Sequence, residues 1–185
     1  WIKLKKVADV VMGQSPSSRF YNIEKKGLPF LQGKAEFGEI SPYPVKWCSQ
    51  LIKIAKRNDV LISVRAPVGN TNLADQDYCI GRGVAAIRPQ SNLNSFYLFN
   101  YLQIAKEQIA NFGSGSTFKA INREVLENFQ IPILPFPEQC EIADILQTID
   151  QKIEIEQKKK ALYEELFKTM LNKLMTGKIK VDNLK

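Results

Sequence analysis

Two polar segments of the chain, each led by a glycine, have the composition of loops that contact a phosphate backbone. Main-chain N–H groups, hydroxyls and cations approach phosphate oxygens closely where no bulky side chain intervenes. One segment follows Gly13 and the other follows Gly113. The side chains that we expect to contact phosphates are Gln14, Ser15, Ser17, Arg19, Ser114, Ser116, Thr117 and Lys119. Each segment, taken alone, is also compatible with an ordinary turn.

Four further side chains carry donors that could read the edges of bases. Arginine matches guanine and glutamine matches adenine in the major groove, because each presents a pair of hydrogen-bonding groups. The candidates are Gln32, Lys34, Arg65 and Arg82. Arg65 is the leading candidate, and its alternative is a structural salt bridge to a nearby carboxylate. Arg82 lies between two glycines, which alternatively indicate a β-bulge.

Most catalytic chemistry is excluded by the residues that the sequence lacks. There is no histidine, and the three cysteines are widely spaced and odd in number. Histidine-dependent nucleophilic catalysis and histidine-containing zinc sites are therefore excluded, and a disulfide framework is not indicated. The Asn/Asp-Pro-Pro-aromatic motif of amino-methyltransferases and a glycine-rich cofactor loop are also absent. We expect a chain without catalytic activity of its own, with no metal and no cofactor.

The excess positive charge is concentrated in the first three quarters of the chain. Residues 1–137 carry a net charge of +7, whereas residues 138–175 carry −2. A basic body with a near-neutral extension is typical of a nucleic-acid-binding domain attached to an interaction helix. A solvated basic surface is the alternative. No apolar run approaches the roughly 18 residues of a membrane-spanning helix, and we expect a cytoplasmic protein without membrane contact.

A proline-rich segment, residues 131–137, separates the body from a long helix. Its three prolines exclude a continuous helix there, and Glu138 then places negative charge at the start of the next one. No proline or glycine follows until Gly177, so the helix spans about 57 Å. These features predict a domain at residues 1–137, a helix at residues 138–176 and a C-terminal tail at residues 177–185.

Apolar residues recur along this helix at steps of three and four. Such a stripe remains in water unless a partner helix covers it, and we expect a homodimer formed through a coiled coil. The alternative is a helix that folds back on its own domain. The residues that we expect at the dimer interface are Ile142, Leu146, Ile149, Ile153, Leu162, Leu166, Met170 and Leu174.

The body is dominated by short strand-like runs separated by turn residues. One helix is expected at Phe96–Ile109, capped by Asn94 or Ser95, and a shorter one after Asn122. The predicted fold class is α+β, an irregular β-rich globular domain followed by one long coiled-coil-forming α-helix. The predicted strands are Val7–Met12, Leu28–Leu31, Leu51–Ala55, Val60–Val64, Val84–Ile87 and Phe129–Ile133.

Several of these patterns, in their order along nearly the whole chain, resemble the target recognition domain of Type I restriction-modification specificity subunits. Each pattern alone is weak evidence for the family, and the resemblance rests on the order in which the patterns occur along the chain. The segments are Trp1 with Leu4, Gly13-Gln14-Ser15-Pro16, Leu28–Gly33, Asp59–Gly69, Gly113–Thr117 with Asn122, and Ile131–Gln139 with Ile142.

The resemblance implies a fold and a role. In the family, a globular recognition domain reads one half of a split site in double-stranded DNA. A long helix spaces it from a second domain and docks methyltransferase (M) subunits, and through them restriction (R) subunits. A usual subunit carries two recognition domains and two helices, whereas this sequence has one of each, which implies a half-length form; a fragment of a two-domain subunit is the alternative.

Other functions remain open at this stage. The chain could be a coiled-coil scaffold, a DNA-binding regulator unrelated to restriction, or the recognition domain of a fused restriction–methylation enzyme. A nuclease carboxylate cluster is not excluded either. A regulator would be expected to show a helix-turn-helix pattern, and the body is too rich in strands for one. Salt discriminates between DNA binding and scaffolding, because only DNA binding weakens steeply as salt rises.

Overall fold

The computed structural model describes residues 1–112 and 120–180, and it shows the predicted α+β architecture ending in a long helix. Short strands precede most of the helices. The strands are β1 (Ile2–Lys3), β2 (Ala8–Met12), β3 (Tyr21–Asn22), β4 (Leu28–Leu31), β5 (Lys46–Cys48), β6 (Ile54–Ala55), β7 (Val60–Ser63), β8 (Thr71–Leu73), β9 (Tyr78–Ile80), β10 (Val84–Pro89) and β11 (Gln130–Ile131). The α-helices are α1 (Ser95–Ile104), α2 (Lys106–Phe112), α3 (Arg123–Asn128) and α4 (Phe136–Met175).

Two sheets form the first compact unit, Trp1–Ala143. The central sheet has the strand order β2-β10-β7-β8 and is antiparallel throughout. The second sheet has the order β3-β5-β4-β9-β6, in which β4 and β9 run parallel. A separate antiparallel pair joins β1 to β11, close to the two ends of this unit.

The inner strands of the central sheet, β7 and the first four residues of β10, are buried on both faces. Ile62 of β7 belongs to a cluster with residues of α1, whereas its neighbour Leu61 packs with Leu31 and Ile80 of the second sheet. Successive side chains of a strand point to opposite faces, so the central sheet lies between the helices and the second sheet. Complete burial of a side chain such as Leu61 contributes about 1.5–3 kcal/mol to folding.

Four of the predicted strands are recovered, at β2, β4, β7 and β10. The prediction of Leu51–Ala55 is wrong except at Ile54–Ala55, and Phe129–Ile133 is reduced to Gln130–Ile131 because Pro132 has no N–H to donate. The sequence did not predict β1, β3, β5, β8 and β9, each of two or three residues.

The helix cap predicted at Asn94 or Ser95 is at Asn94, and Asn122 caps the short helix that was expected after it. The side chain of Asn94 accepts the N–H groups of Phe96 and Tyr97, and that of Asn122 accepts the N–H group of Val125. The single helix predicted at Phe96–Ile109 is instead two helices, α1 and α2, interrupted at Ala105.

The first turns of α4 belong to the first unit, which ends at Ala143. Gln139 is fully buried there. Its Nε2 donates to the carbonyls of Leu134 at 2.8 Å and Asn92 at 3.1 Å, and its Oε1 accepts the N–H of Asn94 at 2.9 Å. One carboxamide therefore joins the start of α4, the proline-rich segment and the cap of α1.

The second unit, Asp144–Lys185, contains the remainder of α4. Lys158 and Lys159 pair with glutamates on the same helix at 2.6 Å. The helix ends at Met175, and Gly177 follows with a positive φ of 70°, which suits a glycine just after a helix end. Within the part of the chain that the structure describes, no helix combines the length and hydropathy needed to cross a membrane.

Candidate nucleic-acid interface

Four loops leave the two sheets at the same end. In the central sheet Met12 is opposite Ala85 and Ser63 is opposite Val84, so β2 and β7 finish where β10 begins. In the second sheet β4 and β9 run parallel and finish together. The segments that follow these strands, residues 13–20, 32–34, 65–70 and 81–83, therefore lie at one end, which we call the loop end.

Ser15 connects three of these segments. Its Oγ accepts the backbone N–H of Arg82 at 3.1 Å and the Nε2 group of Gln32 at 3.4 Å. The side chains of Gln32 and Arg82 are exposed to solvent. Ser15, Gln32 and Arg82, which the sequence predicted as DNA contacts in separate segments, are thus brought together by one hydroxyl group.

The glycines on either side of Arg82 are required by close packing. A Cβ atom on Gly81 would lie 2.9 Å from the ring of Phe30, and one on Gly83 would lie 2.3 Å from the carbonyl oxygen of Gln32. The Gly83 N–H donates to that same carbonyl at 3.1 Å. Arg82 therefore projects from a turn that is fixed against β4.

Tyr21 supports the first of the loops, although the sequence analysis did not single it out. Its ring stacks on Phe30 with centroids 4.6 Å apart, and its hydroxyl donates to the carbonyl of Pro16 at 2.9 Å. Burial is the main cause that raises the pKa of Tyr21, while Ser15 and the positive charge of Arg82 oppose the rise. Tyr21 and Phe30 lie on consecutive strands of the sequence, and the sheet places β5 between them, so no local pattern marks the pair.

Arg65 lies beside the turn that carries Arg82. The N–H of Val64 donates to the carbonyl of Gly83 at 2.9 Å, and Arg65 forms an isolated β-bridge with Ala120. Arg65 is exposed. Among residues 1–112 and 120–180, no carboxylate lies within 4.0 Å of its guanidinium group, so the salt-bridge alternative finds no partner there.

The remaining candidates of the first loop are exposed at the same end. The backbone N–H of Gln14 donates to the carbonyl of Ile80 at 2.9 Å. The side chain of Gln14 is exposed to solvent. Ser17 accepts the N–H of Phe20 through its carbonyl at 3.0 Å, and the guanidinium of Arg19 lies 4.7 Å from the centroid of the Phe20 ring.

Lys34 is placed apart from the Ser15 group. It begins a short 3-10 turn, Lys34–Glu36, and lines a cleft with Asn70 and Lys106. The candidates of the second polar segment, Ser114, Ser116, Thr117 and Lys119, lie outside the described residues. The described chain resumes at Ala120, the β-bridge partner of Arg65.

The opposite end of the central sheet carries a buried ion pair. Asp59, which is 2% exposed, accepts Nε of Arg88 at 3.0 Å and Nη2 at 2.8 Å, and also the N–H of Lys56. Asp59 raises the pKa of Arg88 through these contacts. Its hydrogen bonds are all to groups of the fold, which gives this carboxylate a structural role.

The family comparison covers most of the chain. The model of the Type I restriction modification DNA specificity domain matches residues 1–165. This range includes the whole body and the greater part of α4.

A curated relative supports the same family. The chain is 47% identical over 178 residues to the "Putative type I restriction enzyme MjaX specificity subunit" of Methanocaldococcus jannaschii. The match covers 96% of this chain and 42% of the relative. The chain thus spans less than half the length of this relative.

Two solved structures share the fold and much of the sequence. One, from a study of complex assembly and conformational transition of the type I R-M system, has a TM-score of 0.78 at 45% identity, covering 92% of this chain and 43% of that one. The HsdS subunit from Thermoanaerobacter tengcongensis has a TM-score of 0.73 at 43% identity, covering 94% and 43%. The predicted family and fold class are confirmed: the chain belongs to the Type I restriction-modification DNA specificity family.

Proposed function

We propose that this chain is a non-catalytic specificity subunit that reads one half-site of double-stranded DNA with its loop end. The observation that carries the proposal is the meeting of Gln32 and Arg82 at the Ser15 hydroxyl, with Arg65 in the adjoining segment after β7. A bound duplex would thus meet several exposed donors from separate segments on one surface. Family membership supports the same role.

The exposed groups divide into two kinds of DNA contact. Arg65, Arg82 and Gln32 carry the paired hydrogen-bonding groups that suit base edges. Gln14, Ser17 and Arg19 suit phosphates, and we assign the same task to Ser114, Ser116, Thr117 and Lys119. Ser15 fixes the Arg82 turn through the N–H that its hydroxyl oxygen accepts. Phosphate contacts position the protein and base contacts specify the sequence.

The second unit provides the surface for assembly. Ile149 is 47% exposed, Ile153 49%, Leu162 65% and Leu166 56%. A helix that exposes such residues gains stability when another helix covers them. We assign this face to a second copy of the chain, paired antiparallel, with Leu146, Met170 and Leu174 at the edges of the stripe.

Ile142 has a different environment from the rest of the stripe. It is half-buried and packs against the core of the first unit. Its contribution to pairing is therefore smaller than that of the exposed residues.

A dimer of this kind has a consequence for the DNA site. Two identical domains related by a two-fold axis read an inverted repeat. The M subunits then perform the methylation that the chain itself lacks the groups to catalyse, and the R subunits join through them.

Methylation patterns in cells test the proposal directly. A strain that expresses the partner M subunit is compared with and without this chain, and methylated adenines and cytosines are mapped across the genome. We expect one new methylated motif that depends on the chain and contains an inverted repeat. Identical methylation in both strains would contradict the proposed function. A methylated motif without two-fold symmetry would agree with the specificity role of the chain but would contradict the proposed homodimer.

A further inference from the structure

A polar cleft next to the loop end is not part of the Ser15 group. It has a volume of about 330 Å³ and opens between the segment after β4 and the start of β8. Its main lining side chains are Lys34, Phe37, Glu39, Asn70, Gln103 and Lys106. Lys106, Asn70 and Gln103 were not among the residues that the sequence analysis selected.

We infer that this cleft grips the phosphate backbone of duplex DNA through Lys34 and Lys106, independently of sequence. The inference rests on the proposed function and deepens it. It moves Lys34 from base reading to phosphate binding and adds Lys106 as a second phosphate contact.

One wall of the cleft is fixed by a fully buried amide. Asn72 of β8 donates from Nδ2 to the carbonyl of Gly38 at 3.0 Å and accepts the Gly38 N–H at Oδ1 at 3.0 Å. The N–H of Leu73 donates to the carbonyl of Ile40 at 2.7 Å. The segment that carries Phe37 and Glu39 is therefore held to the central sheet.

The facing wall is fixed by a second polar network. Ser63 Oγ donates to the carbonyl of Pro67 at 2.7 Å and accepts the N–H of Asn70 at 3.0 Å. A Cβ atom on Gly69 would lie 2.9 Å from the carbonyl of Lys106, and Gly69 has a φ of 85°. This close approach places Lys106 directly against the turn, and both walls are preorganised before any ligand binds.

The charges in the cleft favour an anion. Within residues 1–112 and 120–180, neither Lys34 nor Lys106 has a carboxylate within 4.0 Å of its ammonium group. Two ammonium groups against one carboxylate, that of Glu39, leave an excess positive charge. Lysine binds phosphate as a point charge without the paired donors of arginine, so such a contact carries little sequence information.

The location of the cleft connects it to the candidate interface. Thr71 begins β8 opposite Ile62 near the end of β7, and Lys34 follows Gln32 by two residues. The cleft is therefore at the same end of the central sheet as Arg65. A duplex that reaches Arg65 and Gln32 would pass its backbone close to both lysines.

Salt-dependent binding to a duplex of mixed sequence tests the inference. The full chain is titrated by fluorescence anisotropy onto a labelled duplex of about 30 base pairs, at several salt concentrations. Each lost phosphate contact lowers the slope of log K against log salt by about 0.9. We expect Lys34→Gln and Lys106→Gln each to weaken binding roughly tenfold near 0.1 M salt and the double variant to lower the slope by about 1.8.

Controls separate this site from general charge and from folding. Lys5→Gln and Lys6→Gln change exposed lysines at the opposite end of β2 and should leave the slope nearly unchanged. Glu39→Gln removes the carboxylate from the cleft, and we expect it to tighten binding, an effect that misfolding would not produce. An unchanged slope for the double variant, with normal wild-type binding, would overturn the inference and leave the proposed function intact. Absence of salt-dependent binding by the wild-type chain would overturn both.

Discussion

Ser15 and Arg82 are 67 residues apart in sequence, yet the hydroxyl oxygen of Ser15 accepts the backbone N–H of Arg82 at 3.1 Å. This bond fixes the turn that presents the Arg82 side chain. It also joins the end of β2 to the connection between β9 and β10. The candidate interface is therefore organised by a contact between two loops, and each loop alone has the sequence of an ordinary turn.

Ser15→Ala tests that organisation. Removal of the hydroxyl leaves the Arg82 N–H without its partner, and we expect a loss of about 1 kcal/mol in the free energy of unfolding. Binding to the preferred DNA site should weaken by a similar amount, roughly fivefold. Ser18→Ala, at an exposed position of the same loop, is the control. Equal effects of the two substitutions in urea unfolding and in DNA binding would argue against a positioning role for Ser15.

Arg65→Ala separates base reading from general attraction to DNA. A bidentate base contact is worth about 1–3 kcal/mol, so binding to the preferred site should weaken about fivefold to about 150-fold, while binding to unrelated sequences changes less. Arg57→Ala is the matched control, because Arg57 is exposed near the opposite end of β7. An equal loss for all sequences would make Arg65 a phosphate contact.

Gln139→Ala tests the junction at the start of α4. The substitution leaves the N–H of Asn94 and the carbonyls of Asn92 and Leu134 without their partner. We expect the free energy of unfolding of the first unit to fall by about 2–4 kcal/mol. Gln151→Ala, at an exposed position of the same helix, should change it by less than about 0.5 kcal/mol. Similar melting curves for both variants would contradict the role that we assign to this carboxamide.

Ile149→Asp and Leu166→Asp test the pairing of α4. A charge on the apolar stripe opposes its burial against another helix, so both variants should be monomeric where the wild-type chain is a dimer. Light scattering over a concentration series measures the mass, with Gln157→Asp as the control on an exposed polar position. A wild-type chain that stays monomeric at every concentration would show that a second copy is not the occupant of this face.

The buried thiols give a prediction about reactivity. Burial and the neighbouring Cys48 raise the pKa of Cys79 to about 11. At pH 8 only about one Cys79 group in a thousand is then a thiolate, the reactive form. A thiol reagent at pH 8 should modify Cys140 in the native chain and reach Cys48 and Cys79 only after denaturation. Rapid modification of all three cysteines without denaturant would contradict the burial described here.

Elements with strong local signals were predictable from the sequence. Patterns within a few residues predict the strands β2, β4, β7 and β10, the cap at Asn94, the short helix after Asn122 and the long helix after the proline-rich segment. The helix begins two residues earlier than expected, at Phe136. Pro137 is tolerated there because the first turn of a helix has no use for its N–H group.

Short strands were missed because their pairing depends on partners far along the chain. β3 pairs with β5, and β5 also pairs with β4. Tyr21 of β3 and Trp47 of β5 lie in segments without the alternation of apolar and polar residues that marks a strand. The cleft was missed for a similar reason. No sequence pattern marks Lys106, which lines the same cleft as Lys34 and packs closely against Gly69 at the start of α2.

Selection of preferred sequences from a random duplex pool is the most direct test of the central claim, that the loop end of this chain reads DNA sequence. The purified chain, with its methyltransferase partner where binding requires it, is incubated with the pool, and bound duplexes are sequenced after successive rounds. The wild-type chain should enrich one motif, and Arg65→Ala should lose preference at a defined position of that motif while Arg57→Ala keeps it. Binding without any enriched motif, or the same motif with Arg65, Arg82 and Gln32 all replaced by alanine, would contradict the account.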